Sequence, residues 1–289
     1  MKKAIALISY CRDEYFQLVY PTLIHQKIFG KKVNDFYDIY IFQDGLAQDA
    51  RPEVAREHRR LQNRIKRLHG ADRIHIQEKN LGVARHFDYL EKLLFVEKAY
   101  DYVVFCEEDM ILAPGYMQVM DLMGEQFWKD PRVGMVSAFR ERRQHDQDYV
   151  AMGHNWGFGR WKEKWQESQN IVQEYLQIIG EVPYHKRNTP SVLEWIGNKG
   201  FRPLASSQDY IKQCSVLANK SVRISFGWNY GLPIGREGLH CRRQDFDKMG
   251  LDNIIISTTD VPERLPEFRE ETYRDLLERT QKEMMLPVK

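Results

Sequence analysis

The chain has 289 residues, 43% of them apolar and 29% charged, enough to bury a large core as one big domain or two small ones. Its 43 Lys and Arg nearly cancel its 41 Asp and Glu, and a net charge of +2 argues against a general nucleic-acid binder. No run approaches the roughly 18 apolar residues of a membrane span. Arg12-Asp13-Glu14 also closes the short apolar start without a small-residue cleavage site, so a cytoplasmic protein with no transmembrane segment is expected.

Two hydrophobic periods alternate along the first 115 residues. Lys3 to Ser9 reads as a strand, Glu14 to Ile28 as a helix and Tyr37 to Phe42 as a second strand. Pro52 to Leu68 is a helix, with Pro in its first turn and Gly70 just beyond its end. Its arginines, Arg56 to Arg67, read as a solvated face, and leave contact with phosphate or a membrane surface open as the alternative. Arg73 to Gln77 is a third strand, Val83 to Lys98 a helix with Phe87, Leu90, Leu94 and Phe95 on its apolar side, and Tyr102 to Cys106 a fourth strand. This order predicts an α/β protein, with a mostly parallel central sheet flanked by helices. The second half is less regular, rich in glycine and tryptophan, and residues 261–289 read as a charged amphipathic helix after Pro262 and Pro266.

Ligands of open α/β sheets collect at the carboxyl ends of the strands. Here those ends carry Ser9-Tyr10-Cys11-Arg12, Gln43-Asp44-Gly45, Glu78-Lys79-Asn80 and Glu107-Glu108-Asp109. No GxGxxG follows the first strand and no GxxxxGK[ST] occurs, so a dinucleotide site and a P-loop are both poorly supported. The four cysteines, Cys11, Cys106, Cys214 and Cys241, show no metal-knuckle spacing and are expected to be reduced thiols.

The acidic triplet is the most informative feature. Three carboxylates follow Tyr102-Val103-Val104-Phe105-Cys106 and precede Met110-Ile111-Leu112, and unpaired carboxylates are strongly disfavoured in such surroundings. A divalent cation, Mg²⁺ or Mn²⁺, is one partner suited to hard oxygen ligands, and such ions commonly hold phosphates. A solvated acidic turn is the other reading. In the second half, Asn155-Trp156-Gly157-Phe158-Gly159 sets glycine beside tryptophan, which suits either stacking on a sugar or base or the filling of a core.

Together these stretches resemble the GT-A glycosyltransferases. Residues 102–116, from the strand through the triplet to Ala113-Pro114-Gly115-Tyr116, are similar to the N-acetylglucosaminyltransferase I family, as is His154-Asn155-Trp156-Gly157-Phe158-Gly159. Asn80-Leu81-Gly82-Val83-Ala84-Arg85 is similar to a turn of inverting family-2 transferases. The resemblance implies a GT-A catalytic domain over residues 1–250, with a nucleotide-sugar half (1–115), an acceptor half (116–250) and a helical extension (251–289). It implies a metal-dependent, inverting transfer of a sugar from a UDP-sugar, UDP-N-acetylglucosamine being the first candidate, to a glycan or other hydroxyl acceptor. A non-catalytic carbohydrate-binding protein on the same scaffold is the alternative, and a sugar-nucleotide nucleotidyltransferase a more distant one.

By the same resemblance Asp109 is the metal ligand, with His240 as an additional ligand to metal or diphosphate. Glu107 or Glu108 meets ribose or metal-bound water, and a salt bridge to a nearby arginine is the competing role for Glu107. Asp44 is placed to read the base edge, although Asp-Gly is also a common turn. Ser9, Tyr10 and Asn80 line the donor site with Trp156. Arg12 and Arg85 face phosphate or ribose, a surface salt bridge with Asp13 or Glu14 being the competing reading for Arg12, and Arg85, near a helix start where cations are unfavourable, calls for an anionic counterpart. Asp209, in the helix opening Ser206-Ser207-Gln208-Asp209-Tyr210, is the general base by resemblance, and an acid favouring the helix dipole by its position alone.

Overall fold

The computed structural model describes residues 1–68, 70–141, 147–236, 243–257 and 261–287. The first half runs β1 (Lys3–Ser9), α1 (Asp13–Ile24), a small hairpin of β2 (Lys27–Ile28) and β3 (Lys31–Lys32), β4 (Asp38–Gln43), α2 (Pro52–Ile65), β5 (Ile74–Ile76), α3 (Gly82–Lys92) and β6 (Tyr102–Glu107). It continues with β7 (Met110–Leu112), α4 (Tyr116–Gln126), β8 (Val133–Ser137), β9 (Tyr149–Ala151), β10 (Gly157–Trp161), α5 (Lys162–Ile179) and α6 (Thr189–Asn198). The last elements are α7 (Gln208–Ala218), β11 (Val222–Phe226), β12 (Gly231–Pro233), α8 (Arg243–Lys248) and α9 (Glu270–Met284).

The central sheet has eight strands in the order β5-β4-β1-β6-β10-β8-β11-β9. Only β10 and β9 run against the rest, so the mostly parallel α/β architecture expected from the alternating periods is the one observed. Side chains alternate across the sheet as the strand period requires. Ile5, Leu7, Val104 and Cys106 meet α1, α2, α4 and α9 through Phe16, Leu61, Met120 and Leu276. Ala4, Ala6, Val103 and Phe105 meet α3, α5 and α7 through Phe87, Trp165 and Val216. Both faces are covered, which is why β1 and β6 read as near-continuous apolar runs.

Three local features depart from the sequence reading. Helix α1 stops at Ile24, not Ile28, because Pro21 lies in its last turns and the chain then reverses through Phe29 and Gly30, both at positive φ. The ladder of α3 widens at Leu93–Glu97 into a five-residue turn, closed by Lys98 N donating to Leu93 O at 2.8 Å. The tryptophan–glycine stretch supplies β10, which inserts antiparallel between β6 and β8. A Cβ on Gly157 would strike Met110 and Tyr116, and one on Gly159 would strike the Tyr102 hydroxyl, so these glycines admit the chain's own aromatic side chains. The C-terminal helix is present as α9, docked near α7, β9 and β11, with Tyr149 and Gln126 both donating to Pro266 O in the segment before it. Among the described residues no helix is long and apolar enough to cross a membrane.

Candidate active site

The carboxyl edge of the sheet gathers the acids. At the end of β6, Glu107 N donates to Trp156 O just before β10, and Glu108 N, one residue beyond the strand, donates to Ile8 O near the end of β1, so the triplet is tied to the strands on both sides. Glu108 is 2% exposed and fully engaged: Oε1 accepts from Arg12 Nε at 2.8 Å and Oε2 from Tyr10 N at 3.0 Å. Arg12 Nη1 reaches Asp109 Oδ2 at 2.7 Å, so one guanidinium spans two neighbouring carboxylates. Burial would lower the Arg12 pKa, but Asp109 and Glu108 outweigh it and keep the cation charged. Burial raises Glu108, with Arg12 and the Tyr10 N–H pulling it back.

Two acceptors remain unclaimed beside this clamp. Asp109 is 7% exposed, yet its Oδ1 has no hydrogen-bond partner among the described residues, while a Cβ on Gly235 would overlap Oδ2. Glu107 makes no side-chain hydrogen bond among the described residues. Its pKa is pushed well above the usual carboxylate range by burial, then by the negative charges of Asp109 and Asp209. Asp209, about a hundred residues on in sequence, lies near enough for its charge to act on Glu107, and it bonds to Asn155, the neighbour of the Trp156 whose carbonyl accepts from Glu107 N.

Asp209 reaches them because α7 leads into β11 and must run against the sheet's common direction, bringing its first turn to the carboxyl edge. Ser207 caps that turn by accepting from Tyr210 N at 3.3 Å. Asp209 Oδ1 accepts from Asn155 Nδ2 at 3.1 Å and from Gln208 Nε2. One turn on, Lys212 forms a buried ion pair with Glu91 of α3 at 2.7 Å, its Nζ 3.8 Å from the centre of the Phe87 ring.

The other residues singled out in the first half have protein partners. Asp44 accepts four hydrogen bonds, from Gly45 N and Leu81 N on Oδ1 and from Asn80 Nδ2 and Gly82 N on Oδ2. In this arrangement it caps the start of α3 from another strand. Asn80 also donates to Gly45 O, and Ser9 Oγ donates to Phe42 O at 3.0 Å. The Tyr10 hydroxyl accepts from Ala47 N, and its ring meets His58 edge-on. Arg85 donates to Leu176 O and Gly180 O, so its anionic counterpart is the carbonyl end of α5. Trp156 is half-buried at the edge, its ring stacked on His154 at 4.8 Å and tilted against Phe139 at 5.6 Å. His240 lies outside the described residues.

The structure therefore brings together Arg12, Glu107, Glu108, Asp109, Trp156 and Asp209, and sets Asp44, Asn80 and Arg85 into the supporting frame. Sequence reasoning missed Asn155, Gln208, Arg223 and Gly235. Asn155 and Gln208 were within reach, since each adjoins a residue already singled out, whereas nothing local marks Arg223.

Among the described residues no group of three or more His, Cys, Asp and Glu side chains is arranged to hold a metal ion unaided. The donor set still suits one. Magnesium-like ions take one or two carboxylates and complete their shell with water and substrate phosphates. Asp109 Oδ1 and Glu107, neither with a side-chain partner among the described residues, supply that minimum.

No family model matches the sequence, and no curated protein matches it. Among solved structures, the chain is similar to "S. aureus TarS 1-349", at 10% identity over 86% of this chain and 63% of that one, with a TM-score of 0.41. It is also similar to a crystal structure of S. aureus TarS, at 11% identity over 80% of this chain and 36% of that one, with a TM-score of 0.40. The chain thus spans less than two thirds of either. At these scores the likeness carries no functional weight, and the chemistry rests on the site geometry.

Proposed function

We propose that the chain is a GT-A-type glycosyltransferase, moving a sugar from a UDP-sugar to a hydroxyl acceptor with inversion at the anomeric carbon. The observation that carries this reading is the convergence of Glu107, Asp109 and Asp209 on the carboxyl edge, with Asp109 Oδ1 and Asp209 Oδ2 both unclaimed among the described residues. One carboxylate for a cation and another for a proton, at one edge, is what transfer from a sugar diphosphate requires.

In the reaction, Asp209 takes the proton of the acceptor hydroxyl as its oxygen bonds to the anomeric carbon. The bond from that carbon to the diphosphate oxygen breaks, and UDP leaves with the electron pair. Asp109 and Glu107 would hold a Mn²⁺ or Mg²⁺ ion, which when bound offsets charge on the departing diphosphate. Arg12 keeps Glu108 and Asp109 in register for that task, and the exposed edge of Trp156 offers an apolar face to a sugar or base.

Calorimetry with UDP in the presence and absence of Mn²⁺ is the direct test. Binding that requires the ion and disappears in Asp109→Asn supports the reading, and no binding at millimolar UDP defeats it. One observation favours the second reading, a glycan-binding protein without chemistry: Arg12 already neutralises two of the three acids. Glycan binding indifferent to chelator, with no UDP released from any UDP-sugar, would select it.

A further inference from the structure

We infer that Asn155 and Arg223 are positioning residues that lock the rotation of Asp209 through its Oδ1 and leave Oδ2, to which no described residue donates, as the oxygen that receives a proton. The inference rests on the transfer reading above and specifies how its base is held.

Three separate elements build this arrangement: Arg223 lies on β11, Asn155 just before β10, and Asp209 in the first turn of α7. A guanidinium can only donate. Arg223 Nη1 lies 2.7 Å from Asn155 Oδ1, so the amide oxygen must face Arg223 and the amide N–H₂ must face Asp209. The arginine is itself fixed, its Nη2 donating to Met152 O at 2.8 Å and Gly153 O at 3.2 Å. Gln208 adds a second N–H donor on the same Oδ1. Oδ2 accepts no hydrogen bond among the described residues. A carboxylate held through one oxygen by two donors has little freedom about its last torsion, and presents the other oxygen in one direction. The charged or titratable groups around it are Glu107 at the end of β6, Lys212 one turn along α7, Tyr175 from α5 and Arg223 from β11.

The test uses initial rates of UDP release with Mn²⁺, on whichever of UDP-N-acetylglucosamine, UDP-glucose or UDP-galactose the wild-type chain turns over. Asn155→Asp keeps the volume and the acceptor for Arg223 but removes the donor to Asp209. It should lower kcat about 10- to 100-fold while KM and UDP affinity stay within about twofold. Arg223→Lys, which keeps a donor-only cation, should retain more kcat than Arg223→Met. Should Arg223→Met fail to fold, the Asn155 variants decide alone. Asn155→Leu, of similar size and with no added charge, also removes the donor, so a kcat loss shared by both variants is not the effect of a new carboxylate beside Asp209; wild-type kcat in Asn155→Leu, or a loss confined to KM, overturns the inference. Asp209→Asn run alongside separates the two ideas. If it is inactive while Asn155→Leu is normal, only the positioning role falls. If Asp209→Asn keeps its turnover, or the wild-type chain neither binds nor releases UDP, the transfer reading falls and takes the inference with it.

Discussion

The buried pair Glu91–Lys212 provides the sharpest stability test, because α7 carries Asp209 and this pair fastens α7 to α3. The side chains are 1% and 3% exposed and meet at 2.7 Å, with the ammonium against the Phe87 ring. At that separation and an effective dielectric constant of about 20, the Coulomb attraction is about 6 kcal/mol. Much of it offsets the several kcal/mol lost by each ion on leaving water. Removing one partner exposes that imbalance: Glu91→Gln should cost about 3–5 kcal/mol, lowering Tm by roughly 10 °C. Glu91 also supports Arg160, which is 1% exposed and has Nε and Nη1 without partners among the described residues. The double change Glu91→Met with Lys212→Met should therefore recover more than half of the loss, not all of it. Urea denaturation of the three proteins at pH 7 reads both numbers. A loss below about 1 kcal/mol for Glu91→Gln, or a double variant no better than the single one, would refute the assignment of α7's anchorage to this pair.

Other outcomes follow from the same geometry. Asp209→Asn should abolish sugar transfer and leave UDP affinity unchanged, as compared by rate assay and calorimetry. Glu107 has a raised pKa in the folded chain, so its contribution to stability is complete below the ordinary carboxylate value and is lost as pH rises through the folded value. Glu107→Gln should therefore be more stable than wild type at pH 8, with the gap closing as pH falls toward about 4.5, while Mn²⁺-dependent UDP binding is lost; parallel urea melts and calorimetry check both. Gly159→Ala should destabilise by about 1–3 kcal/mol, since the added methyl meets the Tyr102 hydroxyl, itself bonded to Met120 O. A melt indistinguishable from wild type would show that β10 tolerates what its packing forbids.

Much of the frame was legible in residue order. The strands of the first half, the edge that collects their polar ends and the capped opening of α7 all follow from local periodicity and capping chemistry, which act over a few residues. What escaped depends on partners far away in sequence. Arg12 reads as a ligand for phosphate until Glu108 and Asp109, 96 and 97 residues on, are seen to take it. The Asp44-Gly45 pair shows locally only the turn bond from Gly45 N, and nothing near it in sequence reveals the three further donors, from Asn80, Leu81 and Gly82, that converge on Asp44. The tryptophan–glycine stretch leaves stacking on a ligand and the filling of a core both open, and only the assembled sheet shows its glycines making way for Tyr102 and Tyr116. The acids at 107–109 announced themselves since charge inside an apolar run is anomalous wherever its partner lies.

Strand β10 has a consequence for motion. It is laced along its length to β6, from Gly157 opposite Cys106 to Trp161 opposite Tyr102, and on its other side it bonds to β8. A sheet stitched down its middle cannot fold open there like a book. In the proposed transfer, the admission of substrate and the release of product fall to the segments at the rim, while the acids beneath stay where the strands have set them.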